Sequence, residues 1–317
     1  MSHRSFLSYL DYFFVLRPML FFPGWSTMLA GYFIARKENI VYLEPYPFPQ
    51  DLLKAFVLMV AFASAMGAVF LLNQLTDVKS DRGNKKLFII ANGYIKRSDA
   101  LRQVALLMVI AFMLTVLFNE ITVAAMVLFL VITGYLYNYP PTAMKDHPWR
   151  SLVANALMGL LAFVIGWTAV NVWHNRIFLD SLPYILLNTA LYLLTTLPDR
   201  DGDRLAAKNT LAVKFGTKRL IYAAVLLYLL TVLSALWQTD FFILFVVTLS
   251  APFFIHTAVR PKIVTAVRAT KFTILMFAIA VCLKFPYYLI VMVGLFFFTR
   301  WYFKKRFNYD YPNFKGK

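Results

Sequence analysis

The sequence predicts an all-α, polytopic membrane protein. Hydrophobic residues fill 61% of its 317 positions, charged residues only 15%, and the mean hydropathy is +0.65, a composition too apolar for a soluble domain of this length. Stretches of about 20 apolar residues, the length that crosses a hydrocarbon core, recur along nearly the whole chain. The connections between them alternate between strongly basic and poor in charge, as expected of a chain that crosses a bilayer repeatedly.

Spans are expected over residues 14–35, 52–76, 100–118, 121–138, 150–173, 180–198, 218–237 and 241–259, followed by an apolar stretch from 271 to 303. If that last stretch is one bent helix, the protein has nine spans. A hairpin at Lys284-Phe285-Pro286 makes ten and returns Arg300, Lys304, Lys305 and Arg306 to the basic side, since proline can either kink a helix or end it. No room is left for a separate soluble domain, so residues 1–317 read as one transmembrane unit. Met1–Asp11 lacks the compact apolar core and cleavage site of a signal peptide, which makes the first apolar run a retained span. The formal charge of +17 follows from basic loops such as those around Lys79–Arg102 and Arg200–Arg219, and it implies no nucleic-acid partner. That basic face is expected to be the cytoplasmic side of a multi-pass protein of the cell inner membrane. Cys282, the only cysteine, excludes a disulfide framework, and His3, His147, His174 and His256 show no metal-ligand spacing.

Chemistry concentrates where the second and sixth spans give way to polar sequence. Asn73-Gln-Leu-Thr-Asp77-Val-Lys-Ser-Asp81 closes the second span, and on a helix positions 73, 77 and 81 place one amide and two carboxylates on a single face. Thr195-Thr-Leu-Pro-Asp199-Arg-Asp201-Gly-Asp203-Arg204 closes the sixth with the same four-residue spacing, and the four intervening spans return it to the same side. One such pair alone reads as readily as a solvated helix end bridged to nearby Lys and Arg. Two matched pairs favour a site, because acids near bilayer depth are costly and mark ion or substrate positions. Oxygen donors of this kind suit Mg2+, which takes one or two carboxylates and completes its shell with phosphate oxygens and water. Asp77, Asp81, Asp199 and Asp203 are therefore the expected metal ligands, with Asn73 beside them, and the expected ligand is a Mg2+-diphosphate. Four carboxylates and a diphosphate outweigh the charge of two Mg2+, so basic groups must help to hold the phosphates. Arg82, Lys85, Lys86, Arg200, Arg204 and Lys208 lie in the same loops, and Lys145 is favoured because its short connection holds few other charges.

With these residues assembled, the chain resembles the UbiA family of intramembrane prenyltransferases over most of its length. Asn73, Asp77 and Asp81 match the family's NxxxDxxxD motif after the second helix, and Asp199 and Asp203 match its DxxxD motif after the sixth. The segment from Asp199 through Thr210-Leu-Ala-Val to Gly216, and the loop Tyr137-Asn-Tyr-Pro-Pro-Thr-Ala-Met-Lys145, are similar to the family's corresponding segments; the loop has the longer, proline-bearing form of chlorophyll- and tocopherol-type members. Ala207 and the run Gly83–Gly93 depart from the family pattern, which bears on the acceptor rather than on the metal motifs. The resemblance implies helices around a central cavity and Mg2+-dependent transfer of an isoprenyl group from its diphosphate to a lipophilic or aromatic acceptor. It implies catalytic roles for the four aspartates, Lys145 and Tyr137, and diphosphate contacts for Asn73, Arg82, Lys85, Arg204 and Lys208. Asn155, near the start of the fifth span, either joins that set or makes an interhelical hydrogen bond. Tyr137, Tyr139, Trp149 and Tyr192 are candidates by location to stabilise the allylic cation with their ring faces.

Two other acceptor and function classes compete. A glycerophosphate lipid headgroup is an alternative acceptor, and a cation-binding transporter is an alternative protein, although transport would place acids near mid-span or on both faces. The CDP-alcohol phosphotransferase pattern fails on spacing, because Asp201-Gly202 is not followed by a second acidic pair downstream. Soluble prenyl-diphosphate synthases are excluded by the spans.

Overall fold

The computed structural model describes residues 6–36, 49–78, 81, 88–205 and 208–312, and every element among them is helical. In chain order these are α1 (Phe6–Phe14), α2 (Phe21–Ala35), α3 (Pro49–Thr76), α4 (Phe88–Ala91), α5 (Arg97–Thr115), α6 (Glu120–Phe129), α7 (Pro148–Thr168), α8 (Arg176–Thr195), α9 (Arg200–Leu205), α10 (Leu211–Gln238), α11 (Phe241–Val259), α12 (Ile263–Lys284) and α13 (Tyr287–Phe307). Among the described residues eight helical stretches are long and apolar enough to cross a membrane, and Glu120–Leu136 is a shorter apolar one.

The expected first span begins earlier than residue 14. Phe6–Phe14 is itself helical, and the chain then breaks at Arg17, whose left-handed backbone (φ 59°, ψ 56°) ends one helix before Pro18 opens the next turn. At the other end of the chain, the stretch 271–303 is two helices rather than one: α12 ends at Lys284 and α13 starts at Tyr287, after Phe285-Pro286. Lys218 and Arg219, expected in the basic loop around Arg200–Arg219, lie within α10, and Arg268 and Lys271 lie within α12.

The bundle centres on α2, which packs most extensively against α7 and also meets α12, while α8 lies between α7 and α10. Glycine permits the α2–α7 contact. A Cβ on Gly166 would stand 1.7 Å from the Met28 carbonyl oxygen, and one on Gly31 would stand 2.2 Å from that of Phe163, so two backbones touch where hydrocarbon gives helices no hydrophobic drive to associate. Two helix starts away from the aspartates are capped by side chains that satisfy their exposed N–H groups. Asn119 accepts from Ile121 and Thr122 at 3.1 and 3.0 Å, and Asp240 accepts from Phe242 and Ile243 at 3.0 and 3.2 Å.

Opposite ends of the chain meet in one cluster. Asp11 on α1 is buried, and it accepts a hydrogen bond from the Tyr302 hydroxyl at 2.5 Å and a two-pronged ion pair from Arg306, with Nε and Nη2 at 3.1 and 3.0 Å. At the other end of α13, the buried Tyr288 hydroxyl donates to the Phe22 carbonyl at 3.1 Å.

Candidate active site

The helical register continues past the end of α3. The Asp77 amide bonds to the Asn73 carbonyl at 3.0 Å and the Asp81 amide to the Asp77 carbonyl at 2.9 Å, so positions 73, 77 and 81 do share one face. The second pair is built differently. Pro198 sits inside a tight turn, Leu197–Asp199, and α9 starts afresh at Arg200, which carries Asp203 back toward the same place. Asn73, Asp77, Asp81, Asp199 and Asp203 all line one cavity of about 850 Å3, in the range of small-molecule sites.

Lys145 reaches this site through an unusual turn. Residues Leu130–Leu136 form a π-helix, a local widening that recurs at functional positions. The side-chain amide of Asn138 donates to the freed carbonyls of Thr133 and Gly134, both at 3.0 Å, and its oxygen faces Lys145 at 3.5 Å. Lys145 Nζ then lies 3.0 Å from Asp77 Oδ1 and 2.7 Å from the Thr76 hydroxyl. Lys208 adds a second cation 3.6 Å from the same Asp77 oxygen, and its amide bonds to the Asp203 carbonyl at 2.9 Å, tying the two motifs together. Burial, followed by the negative charge of Asp77, pushes the Asp81 carboxyl up to about 6, against the pull of Arg17, Lys208 and Lys145.

Several expected residues stand elsewhere. Arg204 is exposed and lies outside the cavity wall, and Arg200 is engaged with Asp201 and Thr217 at 2.8 Å each. Asn155 on α7 does not line the cavity. Tyr137 and Tyr192 are half-buried, and neither lines the cavity. Trp149 is exposed and packs on Phe215 with Lys214 over its ring, and Tyr139 lines a second cavity that Lys145 also borders. Arg82, Lys85 and Lys86 lie outside the described residues.

Conversely, the cavity wall includes cations that sequence reasoning did not single out. Arg17 projects from the break between α1 and α2, which the buried Gln74 fixes by donating to the Val15 carbonyl at 2.8 Å. Lys271 enters from α12. The available signals were an Arg-Pro step inside an apolar run and a Lys well inside a helix of membrane length, positions where a charge is costly unless used. The rings that line the carboxylate cavity include Phe14, Phe22 and Tyr311, whereas Tyr137, Trp149 and Tyr192 are not part of its wall.

The sequence model of the UbiA prenyltransferase family matches residues 24–265. The chain belongs to that family. Two curated relatives fall within reach of sequence comparison. The "Probable homogentisate phytyltransferase 2, chloroplastic" of Oryza sativa subsp. japonica is 25% identical over 177 residues, 53% of this chain and 47% of the rice protein, so the match spans about half that relative's length. The digeranylgeranylglyceryl phosphate synthase of Methanocaldococcus jannaschii is 28% identical over 200 residues, 62% of this chain and 68% of that protein. A UbiA homologue from Archaeoglobus fulgidus, solved with DMAPP and Mg2+, has the same fold at 20% identity, with a TM-score of 0.64 over 89% of this chain and 99% of its own.

For a UbiA-family member, the donor set can be tested against Mg2+ directly. The cavity end offers four carboxylates and an amide, all hard oxygen donors. Among the described residues no three acidic, histidine or cysteine side chains cluster closely enough to enclose an ion unaided. The oxygen donors on the cavity wall fit an ion that takes one or two carboxylates and fills its octahedron with substrate oxygens and water.

Proposed function

We propose that this prenyltransferase moves an isoprenyl group from its diphosphate to an aromatic acceptor, with the reaction at the basic, cytoplasmic face of the membrane. The observation that carries the reading is one cavity that joins both aspartate pairs to cations from three further segments, Arg17, Lys208 and Lys271. Mg2+, when bound, would supply positive charge to the departing diphosphate. Asp77 and Asp81 hold one side of the donor's head and Asp199 and Asp203 the other. Lys145 and Lys208 keep Asp77 neutralised and positioned until the metal-diphosphate arrives. Phe14 and Phe22 offer ring faces that stabilise an allylic cation without acting as bases. The aromatic acceptor is supported by the proline-bearing Tyr137–Lys145 loop and by the likeness to a phytyltransferase. A glycerophosphate acceptor is the second reading, favoured by the longer match to the archaeal synthase.

We read ten crossings, with α13 as the tenth. Its end near Arg306 pairs with Asp11, and Tyr311 lines the carboxylate cavity, so the segment after α13 sits on the aspartate side. Its 21 residues rise about 31 Å at 1.5 Å each, enough to span the core.

The test is pyrophosphate release by purified protein with Mg2+ and a panel of isoprenyl diphosphates, with ring compounds and glycerophosphates compared as acceptors by mass spectrometry. Turnover with ring compounds alone supports the first reading. Turnover with glycerophosphates alone replaces it with the second, and no turnover with any donor rejects both.

A further inference from the structure

Helix α13 lies beyond residue 265, outside the segment that the family model matches, yet it forms one whole wall of the cavity. It is held at its ends. Tyr288 is buried and bonded to Phe22 at one end, and Tyr302 and Arg306 grip Asp11 at the other. Between these anchors every residue from Leu289 to Phe298 is half-buried or exposed, so the middle of the helix stands off the bundle. The space it leaves is the apolar arm of the cavity, bounded on the far side by Ile274, Leu275 and Ala278 of α12.

The inner face of α13 has a helical spacing: Met292, Phe296, Thr299 and Phe303 are four, three and four residues apart and all line the cavity. Thr299 is fully buried, and its hydroxyl has no hydrogen-bond partner. Threonine in a helix normally bonds back to the preceding turn, so an orphan of this kind calls for an explanation, and a ligand entering the cavity supplies one. Tyr311, beyond Thr299, lies beside Arg17, which faces Asp81 and Asp199, whereas Met292 and Phe296 share the cavity wall with the apolar Ile274, Leu275 and Ala278. Thr299 therefore stands where a polar head and an apolar chain would join.

We infer that α13 measures the donor: Met292 and Phe296 close the apolar arm and set the length of isoprenyl chain admitted, while Thr299 bonds to an oxygen of the diphosphate ester. This rests on the prenyltransferase reading above. Discrimination between hydrocarbons in an apolar pocket amounts to roughly 10- to 200-fold per methylene, so a side chain the size of phenylalanine is ample to exclude a longer chain.

Equilibrium binding of geranyl and geranylgeranyl diphosphate, each with Mg2+, to the full chain in nanodiscs tests the inference without knowledge of the acceptor. Phe296→Ala is expected to shift the affinity ratio toward geranylgeranyl diphosphate by about tenfold, and Phe296→Trp to shift it the opposite way. Thr299→Val is expected to weaken both donors equally. Gly294→Ala, where an added Cβ meets open space, is expected to leave the ratio unchanged and serves as the control on the same helix. An unchanged ratio in both Phe296 variants overturns the gate while leaving the donor assignment intact. Failure of the unaltered protein to bind either diphosphate with Mg2+ overturns the donor assignment itself. Opposite shifts in the two Phe296 variants cannot come from loss of folding, which would weaken both donors in both proteins.

Discussion

The two aspartate pairs share a spacing but not a backbone. Asp77 and Asp81 ride a continuous helical register out of a 28-residue helix, and Asp77 is held by Lys145 at 3.0 Å and Lys208 at 3.6 Å. Asp199 and Asp203 follow a proline break and span the junction of a three-residue turn with a six-residue helix. The first pair is set in position before any substrate arrives. The second rests on two short elements, tied to their surroundings by Arg200 on the Thr217 hydroxyl at 2.8 Å and by the Lys208 amide on the Asp203 carbonyl at 2.9 Å. The comparison teaches that a DxxxD motif specifies donor chemistry, while the flanking sequence decides which backbone presents the donors.

The largest expected effect removes the comparison altogether. Asp77→Ala and Asp199→Ala should each reduce Mg2+-dependent pyrophosphate release by at least 10²–10³-fold, the scale for loss of one preorganised electrostatic group. Retained turnover in either variant would confine the chemistry to the other motif. Next comes the cation on the helical side. Lys145→Met frees Asp77 of its nearest counter-charge, so Mg2+ should bind the donor-free protein more tightly while the diphosphate binds more weakly, each by about tenfold. Titration calorimetry of the metal alone and of the donor with metal separates the two; a fall in both affinities would make Lys145 a scaffold for the loop instead. The smallest effect probes the proline-broken side. Pro198→Ala permits α8 to run on into α9, which should displace Asp199 and lower kcat about threefold to tenfold with little change in melting temperature, in line with small geometric errors at reacting groups. A rate equal to that of the unaltered protein would show that the break has no part in placing Asp199.

Much of this was legible from the sequence because hydropathy and spacing act locally. The second span, at 52–76, and the eighth, at 241–259, were readable from composition, and the register of residues 73, 77 and 81 follows from helix geometry alone. Lys145 stood out by its isolation, and it does reach Asp77. Arg204 and Asn155 show the limit: sequence places them near the motifs, but only packing decides which way a side chain faces, and neither lines the cavity. Arg17 and Lys271 were hidden for the converse reason. Arg17 enters from the break between α1 and α2 and Lys271 from α12, both remote in sequence from the motifs, and no periodicity announces which charge within an apolar run turns inward. The helix break at Phe285-Pro286 was one of two open readings, since proline permits either a bend or an ending and tertiary contacts choose between them.

The clasp of Asp11 by Tyr302 and Arg306 ties α1 to the helix that walls the cavity. The Asp11 carboxylate takes its ion-pair partner from a guanidinium 295 positions later, so the contact forms only when α13 has packed against α1. The same helix carries Met292, Phe296 and Phe303 into the cavity wall. A change that releases this long-range clasp is therefore felt at a distance, in the shape of the chamber rather than at the aspartates themselves.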